Sequence, residues 1–539
     1  MLNKNGFLVL LTLCCTVIFS CKKAPYKKLS PNVIIVQPII TRSDIGDKPS
    51  KINLSNRLVN RAYSKLDLDF HYLEPIYFNN TNARDGKINL DSIVSIAREE
   101  KILKGQGDII NMFFVNAIDG NKGPTGRGMM NGNLVFIVLG NESKYKGLEK
   151  KYMEAFVLAH EIGHNLGLKH AIDDSNVNDS LPNIQGEGDF EDRIDPKFSL
   201  NRYQMDQIKK NPLFHSRINF LSPSQGKKAI LDETFEPYFS KLQTREITTF
   251  VQQKSPKNIN SARKFAREKF SSAVIEFSEK EKKILSFVVE KTNDWLLQNR
   301  INLMARQPWR FIKIQNWLCG GFAHTRGTYI ILSQAYLDKL SSNWSEKLDK
   351  NNERKLVTSL GGLLVHEQMH SLQRTFKTKF DKLYSEKWKF VKQKVKDENE
   401  ITLNQVSNPD APLAEWLIQD PQNENKFFWL RTLLKKNIEI PKMGRDFIDL
   451  AFHVEEKNGE YSVLKSENKL VNQPLQELSF YTRSYPLSRG LDHPNEISAY
   501  MFSEFFKSKY NSSEPFHKIN ESSKKNTRTF IEWIKTDMK

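Results

Sequence analysis

The chain is short of cysteine, with four in 539 residues. Cys14, Cys15 and Cys21 crowd the N-terminus, so the rest of the chain keeps Cys319 alone and has no partner for an internal disulfide. That excludes a small disulfide-stapled scaffold and leaves packed cores and bound metal to supply stability. Long apolar runs are equally scarce. The one sustained run, "FLVLLTLCCTVIF" at residues 7–19, is too short for a spanning helix and reads as a signal peptide over residues 1–20. No low-complexity tract and no solenoid repeat is present, and a hydrophobic fraction of 39% with 11% aromatics fits globular domains. The length exceeds one ordinary core and predicts two to four domains.

The signal ends in "IFSC", residues 18–21, which resembles the bacterial lipobox. The resemblance implies lipid on Cys21, a polar tether over residues 21–31, and a protein exported to the cell envelope and anchored to its membrane. The alternative is a plain secretory signal with an incidental cysteine, and both readings take the protein out of the cytoplasm. Lys+Arg 81 against Asp+Glu 63 gives a net charge of +18. The excess is spread along helix-like stretches such as "SARKFAREKF", where solvated faces explain it. No aromatic-interleaved basic motif occurs, so specific nucleic-acid binding is not expected.

Histidine is also rare, with 11 in the chain, yet three fall within "AHEIGHNLGLKH" at residues 159–170. Residues four apart on a helix lie one above the other, so His160 and His164 point the same way and can meet one ion. Gly167 can take the left-handed conformation that ends a helix and turn the chain back to deliver His170. Three imidazoles on Zn²⁺ leave a position for water, and Glu161 sits beside it as a general base. HExxH alone arises by chance on the order of once per hundred such chains, and the added Gly and His make accident far rarer. The whole pattern, HExxHxxGxxH, resembles the metzincin signature of zinc endopeptidases. The resemblance implies Zn²⁺ on His160, His164 and His170, Glu161 as base and then acid, and peptide-bond hydrolysis. It also implies that "NLVFIVLG", residues 133–140, is the edge strand along which a peptide pairs. One departure stands out: "PNIQG", at 182–186, carries Gln185 where metzincins place a methionine beneath the zinc, and Met205 falls in the following helix.

A shorter echo, "VHEQMHSLQR", occupies residues 365–374. His366 and His370 are again four apart, with Glu367 as the equivalent base, but no third histidine follows. Downstream, "DHPNEISAYMFSEFF" places Glu496 and Ala499 in an ExxA pattern on an apolar helix. That resembles gluzincins and implies a His366, His370, Glu496 site; Glu415 in "PLAEWLI" is the rival third ligand. Tyr500 and His493 share roughly the helix face of Glu496 but read as packing residues, and His324 as a polar loop residue. "SNPDAPLAEWL" and "NKFFWLRTLL" are expected to build a lid or a substrate wall.

The predicted fold class is α+β: two zincin-like domains, each a mixed twisted β-sheet with a helix carrying HExxH. The first spans residues 32–220, a polar linker residues 221–260, and the second residues 261–539, where Ser278 and Glu281 form a helix-capping box. The expected function is an exported endopeptidase acting on proteins or peptides, with one Zn²⁺ per domain. The alternatives are a surface binding protein on inactive zincin scaffolds, or a hydrolase of peptidoglycan amides.

Overall fold

A computed structural model of the chain describes residues 28–122, 125–139, 145–342, 344–511 and 525–539. The signal peptide and Cys21 lie outside the described residues. Among the described residues, no helix is long and apolar enough to cross a membrane.

The first sheet is built around β1 (Asn32–Arg42), buried along nearly its whole length because it has parallel neighbours on both sides. β2 (Leu68–Tyr72) and β3 (Ile76–Asn79) pair with successive parts of one side of β1. β4 (Ile110–Val115) pairs with the other side, and β5 (Thr125–Gly128) and β6 (Leu134–Val138) complete the order β2-β1-β4-β6-β5. β6 runs parallel to β4, and β5 antiparallel to β6. The edge expected at residues 133–140 is therefore interior, and the true edge is β5. Its sequence, TGRG, has no apolar alternation by which it could be read as a strand.

The helix Gly147–Asn165 packs on one face of this sheet, with Tyr63, Met112, Phe156 and Leu158 in the shared core. The helix Leu90–Glu99 covers the other face over Phe78, Phe113 and Phe136. The sheet is thus a middle layer, and the first histidine motif lies in one of the layers that cover it.

The chain crosses to a second sheet with almost no connection. β7 (His215–Ser216) pairs antiparallel with the start of β1, and β8 (Ile218–Phe220) already pairs with the second sheet, so Arg217 alone separates the two. That sheet contains β8, β9 (Val274–Ile275), β10 (Trp309–Ile314), β11 (His324–Arg326) and β12 (Tyr329–Ser333), in the order β11-β12-β10-β8 with β9 on β10. β10 and β12 are parallel and β11 closes the edge antiparallel, the same edge arrangement as in the first sheet.

Residues 221–260 are not a linker. They form the helices Pro223–Ala229 and Thr244–Val251 and bury Tyr238, Phe239, Leu242 and Phe250 in a core shared with β10 and β12. The polar stretches that suggest a connection are the exposed face of the first helix and the turn over residues 252–258 that follows the second. On the other face of the sheet, the helix Glu279–Gln298, capped by Ser278 and Glu281 as expected, packs with the second histidine helix, Gly362–Thr375. A third, six-stranded antiparallel sheet follows, dominated by the hairpin of Asn423–Leu434 and Phe447–Lys457. "NKFFWLRTLL" is a strand of that hairpin, with Phe427 and Trp429 in a separate core, and not a wall of the cleft.

Candidate active site

The helix Gly147–Asn165 ends as its sequence requires. Gly167 has φ of 88°, its N–H donates to His164 O at 3.0 Å, and the Leu168 N–H donates to Gly163 O at 2.9 Å. A Cβ at Gly167 would stand 2.6 Å from Asn131 Oδ1, so two constraints select glycine there. The turn brings His170 back over the helix, with its ring centroid 5.2 Å from that of His160 and 4.8 Å from that of His164.

His160 and His164 present their Nε2 atoms to one another at 3.2 Å. Their Nδ1 atoms are fixed on the opposite side, at 2.8 Å from Ile184 O and at 2.8 Å from Leu168 O. Anchoring one ring nitrogen to a carbonyl sets the tautomer and leaves the other lone pair free for a metal. Burial holds both rings neutral, with the His160 pKa down at about 3. The ligand atoms of His160, His164 and His170 lie within 4.8 Å of one another, so the donor set fits a tetrahedral Zn²⁺ with a position to spare.

Glu161 is buried, and its Oε2 accepts a 2.6 Å hydrogen bond from the Gly128 N–H on β5. Burial pushes its carboxyl up to about 7 despite that bond. Both glycines of β5 are required by closeness. A Cβ on Gly126 would lie 2.4 Å from Glu161 Cγ, and one on Gly128 would lie 2.1 Å from the Glu161 carbonyl oxygen. These two glycines are functional positions that sequence reasoning missed, and their alternation in TGRG is the only signal that could have found them.

Gln185, which stands where methionine is expected, braces the site floor. Its Nε2 donates to His160 O at 2.7 Å, its backbone carbonyl accepts from the Ala171 N–H at 2.8 Å, and the adjacent Ile184 carbonyl holds His160. Gly163, inside the histidine helix, makes room: a Cβ there would be 2.2 Å from Gln185 Nε2. Met205 lies in the helix Arg202–Lys210, as expected. A cavity of 340 Å³ opens beside His160 and His170, lined also by Ile172, Gln185, Glu187 and Arg193.

Residues 50–171 match the profile of the reprolysin-like proteins of metallo-peptidase family M12B. The chain is a zinc metallopeptidase. The match covers less than half of the chain and falls on the segment that carries His160, Glu161, His164 and His170. Comparison with curated proteins gave no match. Among solved structures, archaemetzincin from Methanopyrus kandleri is similar at 13% identity, over 33% of this chain and 94% of that one, with a TM-score of 0.23. Archaemetzincin from Archaeoglobus fulgidus, complexed with malonate, is similar at 16% identity over 32% and 99%, with a TM-score of 0.20. Metalloproteinase-II from Bacteroides fragilis is similar at 15% over 34% of this chain and 54% of its own length, with a TM-score of 0.24. Likenesses of that size carry no weight for the mechanism.

The second half of the metallopeptidase brings His366, His370 and Glu496 together. The two Nε2 atoms are 3.1 Å apart, and Glu496 places Oε2 at 3.5 Å from His366 Nε2 and Oε1 at 3.6 Å from His370 Nε2. His370 Nδ1 is tied to Gln373 Oε1 at 2.8 Å, and Gln373 in turn donates to Asn495 O and Ser498 Oγ on the glutamate's helix. That helix, Pro494–Asn511, packs against the histidine helix with Ala499 fully buried at the contact. The donor set of two imidazoles and one carboxylate fits Zn²⁺. Glu415 is engaged elsewhere, in ion pairs with Lys377 and Lys392.

Glu367 is buried and accepts from Thr325 Oγ1 at 2.9 Å, so β11 holds this carboxylate as β5 holds Glu161. Burial, reinforced by the neighbouring Asp410, raises its carboxyl well above the ordinary range. Tyr500 packs its ring against His366 at 4.4 Å between centroids. His493 is turned away: its Nδ1 accepts from the Asn495 N–H and its Nε2 lies 3.1 Å from Leu413 O, a packing role at the start of the helix. His324 is not a loop residue but a buried part of β11.

Proposed function

We propose that the protein is an endopeptidase with two tandem zincin domains, each built to hold one Zn²⁺, and that it cleaves proteins or peptides at the cell envelope, anchored there through lipid on Cys21. The observation that carries this reading is the first centre. Three imidazoles converge, two of them with their outer nitrogens pinned to backbone carbonyls, and a buried carboxylate beside them is held by the edge strand. When bound, Zn²⁺ supplies Lewis acidity to the scissile carbonyl and lowers the pKa of a water. The chain's own residues do the rest. Glu161, raised toward neutrality by burial, is matched to take a proton from that water and return it to the leaving amine. The edge of β5 not paired with β6 offers backbone groups to an extended peptide, which aligns the scissile bond over Glu161. In the second centre Glu367 has the same position relative to His366, His370 and Glu496.

The test is a metal count followed by cleavage of casein and peptide libraries by wild type, Glu161→Gln, Glu367→Gln and the double variant. The reading expects two zinc per chain and loss of cleavage in Glu161→Gln. Undiminished cleavage in the double variant would overturn it, and two zinc with no cleavage by wild type would favour a binding protein.

A further inference from the structure

The two centres differ in access. His170 has 52% of its side chain exposed beside an open cavity, whereas His366, Glu367, His370 and Glu496 are all buried. What closes the second centre is a turn of the same chain, from the segment that sequence reasoning placed near the cleft. We propose that residues 407–411 are a built-in plug which occupies the substrate position of the second centre and keeps it latent until displaced. This rests on reading His366, His370 and Glu496 as metal ligands.

The plug is held from three sides. Asn408 Nδ2 donates to Glu496 Oε1 at 2.7 Å, the oxygen that faces His370. Asp410 Oδ1 accepts from the Thr325 N–H at 2.6 Å, and its carboxylate lies within 4.8 Å of the donor atoms of Glu367 and His370. Between them, Pro409 O accepts from Arg374 Nη2 at 2.8 Å, one helical turn beyond His370. The Thr325 N–H matters most. β11 is the edge strand of its sheet, and an N–H on its open side is what an incoming extended peptide would use. Here Asp410 consumes it. In the first centre the corresponding edge N–H, that of Gly128, serves Glu161, and the residues lining the cavity beside His170 all come from 160–193.

A plug of this kind predicts slow exchange at the second centre and no room for a substrate-like ligand. Full-length protein loaded with zinc should lose metal to a dipicolinate chelator in two phases. In the Asn408→Ala, Asp410→Ala double variant the slow phase should accelerate at least tenfold, and a peptide hydroxamate should bind at two equivalents per chain by calorimetry instead of one. Asp410→Ala alone serves if the double variant does not fold, and should move both readouts in the same direction. Unchanged slow-phase rate and unchanged hydroxamate stoichiometry in folded, two-zinc variants would overturn the plug, as would two equivalents of hydroxamate on wild type. A wild type with one zinc, abolished by His164→Ala, would instead overturn the second metal centre on which the plug depends.

Discussion

At the scale of single residues, Glu161 and Gln185 separate chemistry from support. Glu161→Gln keeps size and the contact with β5 but removes the base, so kcat should fall by about a thousandfold while zinc content stays at the wild-type level, measured by peptide cleavage and metal analysis. Gly163→Ala tests the floor. Alanine inside a helix is normally favoured over glycine by about 1 kcal/mol. Here its methyl would displace the Gln185 amide from His160 O, so the variant should lose zinc on dialysis and melt lower. A higher melting temperature with zinc retained would show that Gln185 does not brace the site.

At the scale of elements, the histidine helices were legible and the edge strand beside the first of them was not. The first centre reads directly because its ligands fall within residues 160–170 and one glycine turn joins them. Glu496 lies far along the chain from His370, and only its ExxA pattern on an apolar helix singled it out. β5 escaped because a strand of four residues is too short for an alternation to register, and its glycines erase what pattern there was, whereas β11 and β12 read as a hairpin over residues 320–333 and form one. Helices of seven and eight residues in 221–260 looked like linker for the same reason, since each buries only one or two turns of apolar side chain. β5 still has a sharp test. Gly128→Ala would drive a methyl into the Glu161 carbonyl, so activity should collapse while far-UV circular dichroism is unchanged. Ser278→Ala removes half of a capping box and should cost about 1 kcal/mol in a denaturant titration, with cleavage unaffected.

At the scale of the whole molecule, the two halves share buried polar groups. His71 on β2 pairs with Gln307 at 2.8 Å, and Gln307 donates to Ser371 Oγ at 2.7 Å, next to His370 on the second histidine helix. Burial lowers the His71 pKa from 6.5 to about 4, so it is neutral in the folded protein, whereas the unfolded chain takes up its proton near 6.5. The stability this contributes is therefore complete above pH ~6.5 and is lost as pH falls toward ~4. Unfolding free energy should decline over that window, and His71→Asn should flatten the decline by on the order of 1.4 kcal/mol per pH unit, measured by denaturant titration at several pH values.

The passage between the sheets at Arg217 sets how this protein can be divided. Its guanidinium donates to Ser30 O before β1, to Arg306 O before β10 and to Asp69 on β2, so one buried side chain is fastened to both halves. A boundary drawn at residue 220 would leave the first fragment carrying β8, a strand that belongs to its neighbour's sheet, and would leave the second without it. Dissection at that point should yield two insoluble pieces, and a protease should find no bond to cut between the sheets in the folded protein. The two histidine helices would then have to be inherited, expressed and degraded together, as a single unit.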